Sequence, residues 1–503
     1  VILPFQINHL DGIHGNFGFR IYNFRFYILR NAFGFNGRKN SELKIVYSFA
    51  FTFVVPVCRI KFFRLAVFFY HIFLFLFRAG MRFVALWNKK ARLWLAGRKD
   101  IFKKLKAELR NQNSQLTWMH CSSLGEFEQG RPVLEGLKLK GKNHKILLTF
   151  FSPSGYEIRK DYKGADWVFY LPMDSKKNAK KFLDIINPSL VIFVKYDYWY
   201  FYITECKKRN IPLLMISAVF RKSQPFFKWY GSLHRKMLGC FTHFFVQDDD
   251  SLLLLEPVGL INKASVAGDT RFDRVAAIAE NFEPAEAIVK FCGSSPVLVA
   301  GSTWTEDDKI IKEALADIPE LKLIIAPHEI HPEHLQQVKT IFADSVFYSQ
   351  LTTHNSQLTT HNSRLTTHNA QLTSHDSRLT THSCLIIDNI GMLSRLYRYA
   401  TITYVGGGFG KGIHNTLEAA VYGKPVFFGP NYKKFREASG LIRSAGGISV
   451  GSSEELSAAI KKLLADNSLL EQCSKSAFDF VQKNKGATGR ILDYIEANRL
   501  LTS

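Results

Sequence analysis

From about Gln115 onward, short apolar runs alternate with amphipathic helical patterns, and this alternation narrows the possible folds more than any other feature. Leu116–Cys121, Lys145–Phe150, Trp167–Leu171, Leu190–Val194, Pro212–Ser217 and Phe241–Gln247 read as strands. Gly130–Leu139, Ser175–Ile186 and Tyr200–Arg209 carry helical spacing between them. Strand–helix–strand repetition predicts parallel strands wrapped by helices. The rhythm pauses at Asn281–Pro284 and restarts with Val297–Ala300, Leu321–Ala326, Leu385–Asp388, Thr401–Val405, Pro425–Phe428 and Gly447–Val450. The expected class is α/β: two Rossmann-like doubly wound domains, joined near 276–295, facing a cleft. Ligands of such domains bind near the carboxyl ends of the strands.

One strand ends in a dense glycine cluster, Val405-Gly406-Gly407-Gly408-Phe409-Gly410-Lys411-Gly412-Ile413-His414-Asn415-Thr416-Leu417-Glu418. Glycines let backbone N–H groups approach an anion, and a helix start at Asn415–Tyr422 would add a positive dipole end. Glu418, one turn on, is placed to accept hydrogen bonds from two ribose hydroxyls. The pattern fits a nucleotide-sugar pocket. It fits equally a β-turn-α corner whose glycines serve only packing.

Trp118-Met119-His120-Cys121-Ser122-Ser123-Leu124-Gly125-Glu126-Phe127-Glu128 is a second strand end, small-residue turn and helix start. A carboxylate at Glu126 facing the cleft can take a proton from an attacking hydroxyl. The competing role is a first-turn charge complementing the helix dipole, which suits Glu128 better. Ser154 and Gly155, in Phe151-Ser152-Pro153-Ser154-Gly155, offer N–H groups to a carboxylate or phosphate. Asp197 lies just past another strand, and Ser302 and Thr303 follow the same strand-to-turn pattern with hydroxyls for phosphate oxygens.

The seven cysteines show no CxxC or CxxH spacing, which argues against a zinc site or disulfide framework. Formal charge is +23, and residues 1–110 hold 20 Lys/Arg against 4 Asp/Glu. There the cations flank the apolar aromatic runs Ile45–Cys58 and Leu65–Phe77, each shorter than the ~20 residues of a spanning helix. Membrane-surface attachment is expected, with aromatics in the acyl boundary and Lys/Arg at anionic head groups. Nucleic acid is not an expected partner, because the basic sequence is Phe-rich rather than polar. Residues 1–65 read as an extension, as from a translation start upstream of the true one. Residues 66–110 form the basic apolar segment, 111–280 an acceptor domain, 290–485 a donor domain and 486–503 a C-terminal helix. Within the donor domain, 350–383 hold five near-copies of a seven-residue unit, with His354, His361, His368, His375 and His382 recurring. One Leu per seven residues makes a poor coiled-coil seam, so a surface-loop duplication is expected.

Several stretches together resemble the lipid A-specific 3-deoxy-D-manno-octulosonic acid (Kdo) transferases, GT-B glycosyltransferases of lipopolysaccharide synthesis. They are Asn88–Trp94 with Gly97-Arg98, Trp118–Glu126, Ala267–Asp273, Ala300–Thr303 and Gly406–Glu418. The resemblance covers about residues 70–500, apart from the repeat. It implies inverting transfer of Kdo from CMP-Kdo to the lipid A precursor (lipid IVA), without a cofactor or metal, on the cytoplasmic face of a Gram-negative inner membrane. Glu126 matches the catalytic base. Gly406, Gly407, His414 and Asn415 match the donor site, and Glu418 matches the ribose contact. Asp197 matches an acceptor-side acid. The departures are Lys195 where an acid is common, Gly408 and Ile413 for Ser and Gly, and Pro327-His328-Glu329 for Pro-Arg-His. Arg271 is a substitute for the missing basic contact. A GT-B-like nucleotide-sugar epimerase, which shares the glycine and Glu placement, is the alternative.

Overall fold

A computed structural model describes residues 55–110, 114–140, 144–351 and 383–501. Most of the extension expected over 1–65 and nearly all of the 350–383 repeat lie outside the described residues. Two compact units divide after Phe75. A helix, Val55–Val84, begins in the first unit and ends in the second. The sequence separates its apolar runs by cations, but lysine and arginine are good helix formers and interrupt hydropathy rather than the helix. The continuous segment Phe63–Val84 is therefore long and apolar enough to cross a membrane, by length and composition.

In the second unit, apolar runs become two all-parallel sheets. The first contains β1 (Leu116–Cys121), β2 (Lys145–Phe150), β3 (Trp167–Tyr170), β4 (Leu190–Val194), β5 (Leu213–Ala218), β6 (His243–Val246) and β7 (Ala264–Val266). Its order is β3-β2-β1-β4-β5-β6-β7. The second contains β8 (Val297–Thr303), β9 (Lys322–Pro327), β10 (Ser345–Phe347), β11 (Cys384–Ile386), β12 (Ile402–Val405), β13 (Val426–Phe428) and β14 (Gly447–Ser449). Its order is β10-β11-β9-β8-β12-β13-β14. Every residue of β1 and β4 is buried, because helices cover both faces. In each sheet the chain builds outward on one side and then returns to the other. The order reverses between β1 and β4 and between β8 and β12, so crevices open at their carboxyl ends.

The segment Ala267–Asp273 joins the halves, and nearly every residue in it has a structural task. Gly268 takes φ +95°, a conformation L side chains resist. The Thr270 hydroxyl lies 3.2 Å from Ser217 Oγ and also donates to the Gln129 carbonyl. Phe272 joins the second domain's core and stacks edge-on against Phe480. Asp273 accepts from the Gly486 N–H and, at 2.7 Å, the Thr488 N–H, fixing the start of the helix Ala487–Ala497. That final helix returns to the first domain, where Ile491, Leu492 and Ile495 pack with Val133, Leu134 and Leu137. Residues beyond 486 thus complete the core of the half from which they are farthest in sequence.

Candidate active site

At the carboxyl end of β1, adjacent serines each hold a different carboxylate. Ser122 Oγ donates to Asp197, at the end of β4, and Ser123 Oγ donates to Glu126. Asp197 is buried at 6 % exposure, whereas Glu126, in the first turn of the helix Leu124–Lys140, is half-buried. The buried His120 lies beneath them. Its Nδ1 is 3.1 Å from the Thr149 carbonyl, which only an N–H can satisfy. Its Nε2 is therefore an acceptor, taking the Trp199 indole N–H at 3.1 Å and facing Asp197 Oδ2 at 3.2 Å. Burial lowers the imidazole to about 3 and raises the Asp197 carboxyl to about 7, so both hold a neutral form readily. Glu126 is the less buried member of the carboxylate pair.

Lys195 shares this crevice. It follows β4 with φ +67°, a left-handed backbone rare for lysine, and burial depresses its ammonium. Its charge is influenced by Arg271, Asp269 and Glu126 on the first side and by Glu437 of the second domain. The two crevices therefore face one another around these groups.

Across the cleft, the glycine corner follows β12. A Cβ on Gly406 would sit 2.4 Å from the Ser302 carbonyl, and Gly407 has φ +90°. Close backbone packing thus demands these glycines. The Gly406 N–H donates to the Gly301 carbonyl at 2.9 Å, and the Gly407 N–H to Asp307 Oδ2 at 2.8 Å. These two N–H groups, read from sequence as anion donors, are bonded within the protein. The helix there spans only Leu417–Ala420, so its dipole is small, unlike that of the longer helix read over Asn415–Tyr422. Asn415 bonds the Leu417 N–H through Oδ1 and orients Glu418 through Nδ2 at 3.0 Å. Burial raises the Glu418 carboxyl, and Asn415 and Arg274 oppose that rise.

His414 stacks on His328 at 4.3 Å, and His328 lies 4.7 Å from the Trp304 ring. The Trp304 indole donates to His414 Nε2 at 3.2 Å, leaving the Nδ1 as the proton-bearing nitrogen. Burial lowers His414 to about 4, so it acts as a neutral donor rather than a cation. Ser302 adopts φ +54° beside the corner. Thr303 is fully buried beside Asp308. Ser154 and Gly155 also differ from the reading above. Their N–H groups bond Ser152 Oγ at 3.2 Å and the Ser152 carbonyl at 3.3 Å, capping the helix Pro153–Arg159.

Residues 97–274 match the family described as 3-deoxy-D-manno-octulosonic-acid transferase (Kdo transferase). A 3-deoxy-D-manno-octulosonic acid transferase of Rickettsia typhi is 26% identical over 389 residues, covering 76% of this chain and 79% of that protein. These similarities support a Kdo transferase. The chain is a GT-B glycosyltransferase. A bifunctional glycosyltransferase/methyltransferase of Fusobacterium nucleatum is 26% identical over 404 residues, 78% of this chain but only 56% of the relative. The UDP-GlcNAc 2-epimerase of Neisseria meningitidis, solved with UDP-GlcNAc, superposes with a TM-score of 0.53 at 16% identity. It covers 76% of this chain and 100% of that one, which establishes shared architecture alone.

Two acids of this site escaped the sequence reading. Asp307 fastens the glycine corner by accepting from Gly407 N, Trp304 N and Tyr404 Oη, and Glu437 receives Arg271 across the cleft. Three consecutive acids opening a helix, Glu306-Asp307-Asp308, were the only visible signal for Asp307. Arg271 is bound to Asp269 at 2.6 Å and Glu437 at 2.8 Å, so its fork is engaged by protein carboxylates.

The raised Asp197 carboxyl carries a stability prediction. An acid whose pKa rises on folding keeps its proton in the native state where the unfolded chain has lost it. Native protein then binds more protons between about pH 4 and about pH 7, and stability falls as pH climbs through that window. Asp197→Asn keeps the neutral shape and an N–H for His120 but has no proton to lose. The variant is expected to gain on the parent by roughly 2.5 kcal/mol between about pH 5 and about pH 8. Thermal unfolding at both pH values checks this, and a parent–variant difference independent of pH would contradict the neutral Asp197.

Proposed function

We propose that this protein moves Kdo from CMP-Kdo to a hydroxyl of the lipid A precursor (lipid IVA), with inversion at the anomeric carbon. The observation that carries the reading is that Lys195, beside Glu126 at the β1/β4 crevice, is also under the charge of Glu437 in the second domain, whose β8/β12 crevice bears the His414–Glu418 corner. Glu126 takes the acceptor hydroxyl proton as that oxygen bonds to the anomeric carbon. The bond from that carbon to the CMP phosphate oxygen breaks, and CMP departs. The His414 Nδ1–H supplies a neutral hydrogen bond for the leaving phosphate, and Glu418 accepts from ribose hydroxyls. Ser302 lies beside that phosphate position. No metal or cofactor enters the scheme.

The reading includes attachment at the cytoplasmic face of the inner membrane through the helix Val55–Val84. Phe68, Phe69, Phe73, Phe75 and Leu76 are exposed along it, and Arg78, Arg82, Lys89 and Lys90 follow, a pattern suited to anionic lipid. Incubation with CMP-Kdo and tetra-acylated lipid A precursor tests the reading by mass spectrometry of the lipid. One or more added Kdo masses are expected. Unchanged lipid with intact CMP-Kdo would overturn it.

A further inference from the structure

Away from both carboxylates, the loops after β5 and β6 border an open cavity of about 390 Å³. Phe226, Phe227 and Trp229 form one wall, and Leu254, Pro257 and Val258 the other. The volume is within the range of small-ligand sites, and carbon lines most of it. Trp229 at its rim is 87% exposed and Tyr230, packed edge-on against it, 55%, a large aromatic surface left to solvent. The rim is not a slack loop. Arg235 donates to the Lys228, Phe226 and Trp229 carbonyls at 2.6, 3.1 and 3.3 Å, locking its backbone.

Position and charge indicate what enters. Both loops leave carboxyl ends of the first sheet, the edge that bears Glu126. A direct aromatic contact connects the places: Tyr198, next to Asp197, packs on Phe226 with centroids 4.7 Å apart. The charged residues lining the cavity are Lys228 and Arg235, both cations, while the acids of the second loop, Asp248-Asp249-Asp250 and Glu256, are not among its lining. An apolar slot rimmed by amphipathic aromatics and cations complements an alkyl chain on an anionic head group.

We propose that the cavity beside Trp229 is an acyl-chain subsite, holding one chain of the phosphorylated lipid acceptor so that its sugar reaches Glu126. The proposal rests on the function given above and adds the place where the acceptor's lipid is read.

Bromododecyl phosphate, an anionic single-chain amphiphile with bromine at the chain end, probes the cavity in the full-length protein. Below its micelle concentration it is expected to quench tryptophan fluorescence, with most of the quenching lost in Trp229→Phe. Val258→Trp, which fills the slot, should weaken binding about tenfold, equivalent to losing the burial of two methylenes. In the transfer assay the same filling variant should raise KM for the acylated acceptor about tenfold. It should leave kcat, and reaction with a de-acylated acceptor, unchanged. Equal quenching in Trp229→Phe, or unaltered affinity in Val258→Trp, overturns the subsite. Quenching by brominated phosphatidylglycerol vesicles but not by the monomeric probe also overturns it, in favour of a bilayer contact. Probe binding as expected, without Kdo transfer by the parent, supports a chain site and rejects the transferase reading instead.

Discussion

Glu126→Gln is expected to lower turnover at least about a hundredfold, with much smaller changes in the KM of either substrate. Glutamine retains the size of the side chain and still accepts a hydrogen bond from Ser123, but it cannot take the acceptor proton. The neighbouring Asp197 cannot replace it. That carboxyl is buried, tends to the neutral form and faces His120, while Glu126 is the half-buried member of the pair. Two carboxyl groups thus have different duties because their surroundings differ. Glu128→Gln is the control two residues along. Glu128 pairs with Arg159 at 3.0 Å and with Arg274, so its loss should reduce stability while turnover stays within about tenfold. A first-turn carboxylate that only complements the helix dipole is worth about 0.3–1 kcal/mol of stability and nothing in turnover. Steady-state kinetics on both variants separates the roles, and near-normal turnover in Glu126→Gln would remove it as the base.

Which features were legible in the sequence follows from the range of the forces involved. The long buried strands β1, β2 and β4 were visible because a parallel sheet covered on both faces requires unbroken apolar runs. Ala264–Val266 and Ser345–Phe347 were not, since three residues at a sheet edge establish no period. The helix Val55–Val84 was divided by hydropathy where backbone propensity continues it. The glycine corner was legible as a strand end and turn. The fate of its N–H groups was not, because Asp307 reaches Gly407 across a hundred residues of sequence. Thr303 likewise lies fully buried, which its place at a strand end did not reveal. Local signals locate the chemistry; the assignment of each proton and lone pair depends on tertiary neighbours.

Removing the cation that bridges the halves should be the most destabilising single change near the site. Arg271 leaves the joining segment with Nε and Nη2 on Asp269 and extends Nη1 to Glu437 on the helix Arg436–Arg443. Both acids are only 8% exposed, and their fields hold the guanidinium firmly protonated. Arg271→Ala strands two buried carboxylates without a counter-charge, for which about 3–5 kcal/mol is expected. Lysine should recover only part, since a single ammonium cannot reproduce the planar fork. The penalty belongs to the abandoned acids, so Arg271→Met with Asp269→Asn and Glu437→Gln should regain most of the loss. Urea unfolding midpoints across the series measure this. If the triple variant is no more stable than Arg271→Ala, the arginine acts through packing rather than charge. The same series tests the clasp in catalysis: the triple variant restores stability without restoring Arg271's charge. Turnover that stays depressed in it would show that the fixed cation, which reaches Glu437 of the second domain and acts on Lys195, also sets the alignment of the two halves.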